Sequence, residues 1–436
     1  MKILKLFACI LCISTIDAIA IGGWRQCNTP VISSRVDDIF MVDTQIGYAV
    51  AGNGAIVKTI DGGDNWNLIN LDTAIYCRSV EFINTQKGFV GGFSAHRSTS
   101  NILRMTTDGG ASWSDLTGML DPVAKLGICG ISIPDSNTIY GCGNYFSDSA
   151  YIVKSMDGGI SWSFIDMKVY ATHLIDMFFL NKDTGFATGT GVLPTEEAII
   201  LYTMDGGQNW VYKFRDTVAS SFSGYCWKIQ HLTDQNYIAT IQGSLPTGGR
   251  ILRSTDGGMN WIIYYTPTPL GGNGVQGAGF IDSLQGWVGG GFGLTFETMD
   301  GGLTWDTIPV CPSLNRIFRL NDSTVFASGQ GIWKFNRSTT GIQEYLSDIQ
   351  PDAFIEVYPN PVNNYFNVGL SISKPTRVLL KLLDESGKRI LLINNSVKSK
   401  GIYRFQVETN QIPTGIYFVV LKTFETDVAT RVIITH

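Results

Sequence analysis

The chain has 436 residues, enough for two domains and a large core, with 49 Gly, 16% charged and 11% aromatic residues. That composition describes a turn-rich all-β protein and excludes a mainly helical one. A net charge of −5 without any basic block speaks against nucleic acid as a partner.

Residues 1–20 read as a signal peptide. Lys2 and Lys5 give a positive start, Leu6 to Ile16 is apolar, and Ala18-Ile19-Ala20 fits a small-x-small cleavage site. The apolar run is too short to span a membrane, so no transmembrane segment is expected. Leu6-Phe7-Ala8 before Cys9 is a poor lipoprotein signal. The expected route is export through the periplasm, with a mature chain from about Ile21.

Residues 21–336 are organised by one eight-residue motif, Thr/Ser-x-Asp-Gly-Gly-x-x-Trp. It runs from Thr59 to Trp66, Thr106 to Trp113, Ser155 to Trp162, Thr203 to Trp210, Ser254 to Trp261 and Thr298 to Trp305. Its aspartates, Asp61, Asp108, Asp157, Asp205, Asp256 and Asp300, are 47, 49, 48, 51 and 44 residues apart. A period of this length with strand-like flanks predicts propeller blades. The Asp side chain suits a tight turn by accepting backbone N–H groups, and Gly-Gly supplies positive φ. The Trp buries its ring in the next strand. The aspartates are therefore expected to be structural, and on six separate blades they stand too far apart to form an acid/base pair.

Small-residue strands precede the motif: Gly47 to Gly52, Gly88 to Gly92, Gly185 to Gly189 and Gly286 to Gly290. Close blade packing near the axis explains them. A last copy, Asn315 to Leu320, Thr324 to Gly329 and Ile332 to Phe335, stops after three strands. Gly23 to Cys27 resembles the strands that follow the motif, and Trp24 precedes Trp66 by 42 residues, in phase. The N-terminal strand is thus expected to complete the last blade, closing seven blades and removing free edges.

The motif resembles the Asp-box of bacterial neuraminidase repeats, which lies on a turn away from any active site. The whole of residues 23–336 resembles the single seven-bladed propellers related to the photosystem II stability and assembly factor. That resemblance implies a non-catalytic, protein-binding module without a cofactor. The sialidase arginine triad is missing, and a xyloglucanase-like enzyme would need two propellers.

The loop between second and third strands is two residues in the first unit, Asn53-Gly54, and longer in the next four: Phe93 to Asn101, Asn144 to Ala150, Thr190 to Ala198 and Gly243 to Gly249. These loops lie opposite the motif turns, and long loops on a rigid scaffold tend to carry function. Phe93, His96, Arg97, Tyr145, Phe146 and Glu196 are the expected ligand-binding residues, for a protein or a glycan. The competing class is a glycoside hydrolase using Glu196 or Glu197 with Asp148, since paired carboxylates about 5–10 Å apart are its requirement. No cysteine or histidine spacing suits a metal. Counting back from the turn at Pro134 to Asn137 sets Cys129 opposite Cys142, which predicts a disulfide; the pairing of Cys27, Cys77, Cys226 and Cys311 stays open.

Residues 337–353 are polar and read as a linker. From 354 the period is gone and a second all-β unit begins. Tyr358-Pro359-Asn360-Pro361, then Gly387-Lys388, then Pro413-Thr-Gly415-Ile-Tyr-Phe418 stand in the order of the type A C-terminal sorting domain of type IX secretion, which residues 354–436 resemble. The resemblance implies an immunoglobulin-like sandwich, recognition by an outer-membrane translocon and a Bacteroidetes-type diderm. The product is then secreted or held at the cell surface.

Overall fold

The computed structural model describes residues 23–94, 101–143, 150–216, 224–233, 235–242, 249–267, 274–291, 293–337, 353–372, 375–385, 387–423 and 427–435. The chain divides near residue 339 into two compact units. The signal-peptide reading of residues 1–20 and most of the linker lie outside the described residues.

Among the described residues, the first unit holds seven antiparallel sheets of four strands each. Sheet 1 is Val36–Met41, Gly47–Ala51, Ala55–Thr59 and Asn67–Leu71, in that order from inside to outside. The inner strands of sheets 2 to 7 are Ile75–Phe82, Gly130–Ser132, His173–Phe179, Tyr225–Thr233, Val275–Phe280 and Arg316–Arg319. Each packs on the next, and Arg316–Arg319 packs back on Val36–Met41, so the sheets form a closed cycle. The second strand of sheet 1 is wholly buried, and small residues such as Ala49 and Ala51 allow the neighbouring sheets to approach.

Sheet 7 consists of Arg316–Arg319, Thr324–Gly329, Gly331–Asn336 and, as its outer strand, Trp24–Gln26. Trp24 pairs with Phe335, and Asn336 N–H donates to Gly23 O at 3.0 Å. The Trp24 ring, 1% exposed, meets Trp287 edge-on at 5.1 Å and Phe335 at 5.4 Å. A strand from the start of the sequence is therefore bonded into the last sheet, leaving its third strand no open edge.

The second unit has a three-stranded sheet, Ala353–Tyr358, Tyr365–Ile372 and Gly401–Glu408. Against it stands a four-stranded sheet ordered Arg389–Lys398, Thr376–Asp384, Gly415–Lys422 and Asp427–Ile434. Phe366, Val368 and Leu370 of one sheet share a core with Leu380, Leu382, Val419 and Val432 of the other. Alternation along each strand produces this single apolar layer between two faces.

Candidate functional site

The motif turns lie on one face and absorb their own polar groups. In the first, Thr59 Oγ1 donates to Asp61 Oδ1 at 2.9 Å and accepts Gly63 N–H at 2.9 Å. Asn65 donates through its backbone to Asp61 Oδ1 at 3.0 Å and through its amide to Oδ2 at 2.8 Å. Gly62 and Gly63 have φ of 74° and 91°, where a side chain would be strained. Trp66 Nε1 closes the turn on Gly63 O at 3.1 Å. Hydrogen bonds from Asn65 hold Asp61 at about 2, and those from Ser112 do the same for Asp108. Asp157, Asp205 and Asp256 are likewise held low by hydrogen bonds, and Asp300 is held low by those of Thr304 and Thr298 against the opposing effect of burial. A carboxylate saturated in this way is neither a proton donor nor an open ligand.

Each turn is also tied sideways. Gly62 N–H donates to Gln45 O in its own sheet at 2.8 Å, and Lys334 Nζ of sheet 7 donates to Gly62 O at 2.7 Å. Tyr48 and Lys58 of sheet 1 both donate to Gly109 O of sheet 2, at 2.9 and 2.8 Å. The polar groups of these turns are thus spent within the fold.

On the opposite face lies a cavity of about 1020 Å³. Its walls come from Gln26 to Arg35, between the closing strand and sheet 1, from Tyr76 of sheet 2, and from Pro312, Ser313, Gln330 and Trp333 around sheet 7. Two aromatic rings, several amides and hydroxyls and one guanidinium line it. Of the six expected ligand residues, Phe93 stands next to this cavity: its ring stacks on Tyr76 at 4.8 Å and 5°. Glu196 is half-buried at φ 45° in the sheet 4 loop. His96, Arg97, Tyr145 and Phe146, with Asp148, lie outside the described residues. Glu197 is buried and engaged by Thr195 and by Arg215, whose Nε donates at 2.5 Å. Burial raises its proton affinity, but those hydrogen bonds outweigh it and keep the carboxyl below its usual range.

The axis of the ring is filled with charge, which the sequence reading did not anticipate. A β-bulge recurs in the inner strands, at Val36/Asp38, Cys77/Ser79, Leu174/Asp176, Cys226/Lys228 and Val275/Gly277. The extra residue in each is Asp37, Arg78, Ile175, Trp227 or Gln276. A bulge re-aims side chains out of the alternation, and here they meet across the axis. Asp37, fully buried, receives Arg35 Nε at 2.6 Å and Arg78 Nη1 at 2.7 Å. Despite burial, the two guanidiniums hold Asp37 below its usual range. Arg35 also reaches Gln276, and the Arg78 guanidinium lies 5.0 Å over the Trp227 ring in sheet 5. Arg316 of sheet 7 crosses to Asp176 of sheet 4 at 2.8 Å and pairs with Asp38 of sheet 1 at 3.2 Å. Asp38 also accepts Val80 N–H of sheet 2, and Asp176 accepts Ile229 N–H of sheet 5, at 3.1 and 3.0 Å. The axis is crossed by these ion pairs, and Arg35 belongs both to them and to the wall of the cavity.

The register of this hairpin overturns the expected Cys129–Cys142 disulfide. Gly130, not Cys129, stands opposite Cys142, while Cys129 N–H donates to Cys142 O at 2.7 Å. The register is one residue off, and both thiols are free and buried, as are Cys27, Cys77, Cys226 and Cys311.

In the second unit, Asn360 acts as a clasp. Its Nδ2 donates to Arg431 O at 2.7 Å, and its Oδ1 accepts Ile433 N–H at 2.8 Å. Val362 N–H donates to Ile433 O at 2.8 Å, and Thr435 N–H returns to Val362 O at 2.7 Å. The Tyr358-Pro359-Asn360-Pro361 stretch thus fastens the last strand of the unit. Gly387, at φ 78°, closes the hairpin that begins at Asp384, and Gly415 opens the strand Gly415–Lys422.

Four-stranded sheets in a closed cycle, each of the first six pinned by its own Asp-Gly-Gly turn, define a β-propeller, followed by a separate two-sheet unit. The chain is similar to the photosystem II assembly factors in the propeller and to secretion sorting domains at its C-terminal end. Residues 16–123 match the family Photosynthesis system II assembly factor YCF48, and residues 356–435 match the family Secretion system C-terminal sorting domain. The Photosystem II assembly lipoprotein Ycf48 of Synechococcus sp. (strain CC9902) is 25% identical over 341 residues, covering 69% of this chain and 96% of that protein. A solved structure of YCF48 bound to D1 peptide is 21% identical, with a TM-score of 0.52 over 74% of this chain and 99% of that one. YCF48 from Cyanidioschyzon merolae is 19% identical, with a TM-score of 0.52 over 72% and 99%. At these identities the solved structures establish the fold alone.

Proposed function

We propose that the protein is a secreted or cell-surface Asp-box propeller of seven blades that binds a partner and performs no chemistry on it. Residues 1–20 are its signal peptide, 21–336 the propeller, 337–353 a linker, and 354–436 an immunoglobulin-like sandwich read by type IX secretion machinery. The carrying observation is the division of labour between faces. The motif carboxylates are consumed in holding turns, while the opposite face presents a cavity lined by Tyr76, Trp333 and Arg35. Aromatic anchors beside a guanidinium suit recognition. A protein segment is favoured over a glycan, because a similar propeller has been solved with a peptide. The ligand runs from the cavity across Phe93 toward the loops of His96, Arg97, Tyr145, Phe146 and Glu196. The glycosidase reading is not favoured, since Glu197 is held ionised by its neighbours.

Trp333→Ala and Tyr76→Ala are each expected to weaken partner binding by about 1–3 kcal/mol while the fold survives. Asp157→Ala is expected to lower the melting temperature with little direct effect on affinity, because it leaves turn N–H groups unpaired. Binding and melting measured together on both sets decide the matter; loss of binding in a folded Asp157→Ala protein would place the ligand on the wrong face. Removing 354–436 is expected to leave a folded propeller in the periplasm, and its appearance outside the cell would refute the sorting role.

A further inference from the structure

In the second unit the four-stranded sheet buries Val378, Leu380 and Leu382 in the core, so Arg377, Leu379, Lys381 and Leu383 look outward. Register extends that outward set over the sheet. Val397, Asn395, Leu392 and Arg389 stand opposite it on one side, and Lys422, Val420 and Phe418 stand opposite Leu379, Lys381 and Leu383 on the other. Ala429 and Arg431 follow in the last strand. An antiparallel sheet with one free face ordinarily makes that face polar. The three-stranded sheet does so: Asn367, Arg404, Gln406 and Glu408 point away from the core, with charge of both signs. The four-stranded sheet does not. Leu379, Leu383, Phe418 and Val420 are half-buried without belonging to the core, and Leu392 and Val397 are 43% and 72% exposed.

The charges of this face are nearly all of one sign. Arg377, Lys381, Arg389, Lys422 and Arg431 stand against one acid position, Asp427, at the corner opposite Lys422. Among the described residues, Arg377, Lys381, Arg389 and Arg431 have no carboxylate within ion-pair distance. A cavity of about 390 Å³ opens on the face, walled by Arg377, Lys422, Leu379, Asn395 and Thr423. Arg377 Nε and Nη2 donate to Asn395 Oδ1 at 3.3 and 3.2 Å, which occupies the one amide oxygen among these outward side chains. The face thus offers apolar carbon and cationic donors. A protein partner would present donors and acceptors together, whereas lipid phosphates over an acyl interior present acceptors and apolar carbon. Apolar side chains among Lys and Arg are what an anionic membrane interface attracts.

We propose that this face docks on an anionic phospholipid surface, with a headgroup phosphate in the cavity between Arg377 and Lys422. Leu392 and Val397 rest against the acyl boundary, and Lys381, Arg389 and Arg431 meet neighbouring headgroups. Docking of this kind is independent of the propeller's ligand and of export, so vesicle binding tests it apart from both.

Flotation of the full chain with vesicles of phosphatidylcholine, alone or with about one-third phosphatidylglycerol, reads the docking directly. Binding to the mixed vesicles only is expected, weakening as salt screens the attraction. Arg377→Gln with Lys422→Gln should lower that affinity about 25-fold, since each cation near such a surface contributes about fivefold. Arg404→Gln, on the outward side of the other sheet, should leave it unchanged, and inorganic phosphate at matched ionic strength should not release the protein. All three substitutions lie at outward positions, and unchanged melting temperatures show that the variants fold. Absence of binding, equal binding to neutral vesicles, release by phosphate, full binding by the double variant or an equal loss in Arg404→Gln overturns the proposal. Self-association that Val397→Asp dissolves would also overturn it, assigning the face to a second copy of the chain.

Discussion

Trp24→Ala is expected to destabilise the propeller by about 3–5 kcal/mol, the cost of emptying a fully buried tryptophan site. The ring is 1% exposed and packs on Trp287 and Phe335, so a truncation leaves a cavity where the first and last strands of the propeller meet. Among the described residues its Nε1 is buried without a partner, so the indole contributes area and shape there but no hydrogen bond. Trp24→Phe is accordingly expected to cost far less than Trp24→Ala. Deleting Gly23 to Cys27 should exceed both, because it also strips the pairing of Arg25 with Lys334 and Gln26 with Trp333 and bares the edge of Gly331–Asn336. Urea unfolding of the three variants checks the order. Equal stability of Trp24→Ala and the natural chain would mean that the ring is not closed by its N-terminus.

Arg316→Met is the second large effect. One guanidinium serves Asp176 at 2.8 Å and Asp38 at 3.2 Å, with those carboxylates 4% and 7% exposed. Removing it strands two buried negative charges, and breaking such a pair costs about 3–5 kcal/mol. Neutralising the acids as well, in Arg316→Met with Asp38→Asn and Asp176→Asn, should restore much of the loss, because no uncompensated charge then remains. The Asn side chains still accept Val80 N–H and Ile229 N–H, which keeps those inter-sheet bonds. Melting temperatures of the single and triple variants supply the comparison. If the triple variant were no more stable than Arg316→Met, the stabilising role assigned to the crossed pairs would be wrong.

What was legible in the sequence is what local chemistry dictates. The Asp-Gly-Gly turns were readable because Thr59, Asp61, Asn65 and Trp66 satisfy one another within eight residues. The closing strand was readable because Trp24 keeps the period of the repeat. The charged axis was not, because its partners are far apart in the chain: Arg316 and Asp176 are separated by 140 residues. A signal was nevertheless present in Asp37-Asp38, Arg78, Asp176, Lys228 and Arg316, charges set in inner strands that otherwise read as apolar. The disulfide expectation failed for a local reason. Counting residues back from the turn set the pairing one residue away from the ladder, which joins Ser132 to Tyr140 and Gly130 to Cys142. The loops of His96, Arg97, Tyr145 and Phe146 were the other expected part of the site, whereas the cavity draws on Gln26 to Arg35 and Trp333. These short segments carry no length anomaly to betray them.

The central claim is that recognition belongs to the face opposite the Asp-Gly-Gly turns. Photo-crosslinking tests it most directly, with benzoylphenylalanine placed at Val31 beside the cavity or at Ile160 in the third motif turn, both well exposed. The full chain is produced in its own cells, irradiated at the surface and recovered for mass spectrometry. A partner adduct from Val31 and none from Ile160 is the expected result. Adducts from Ile160 alone, or from neither position, would contradict it.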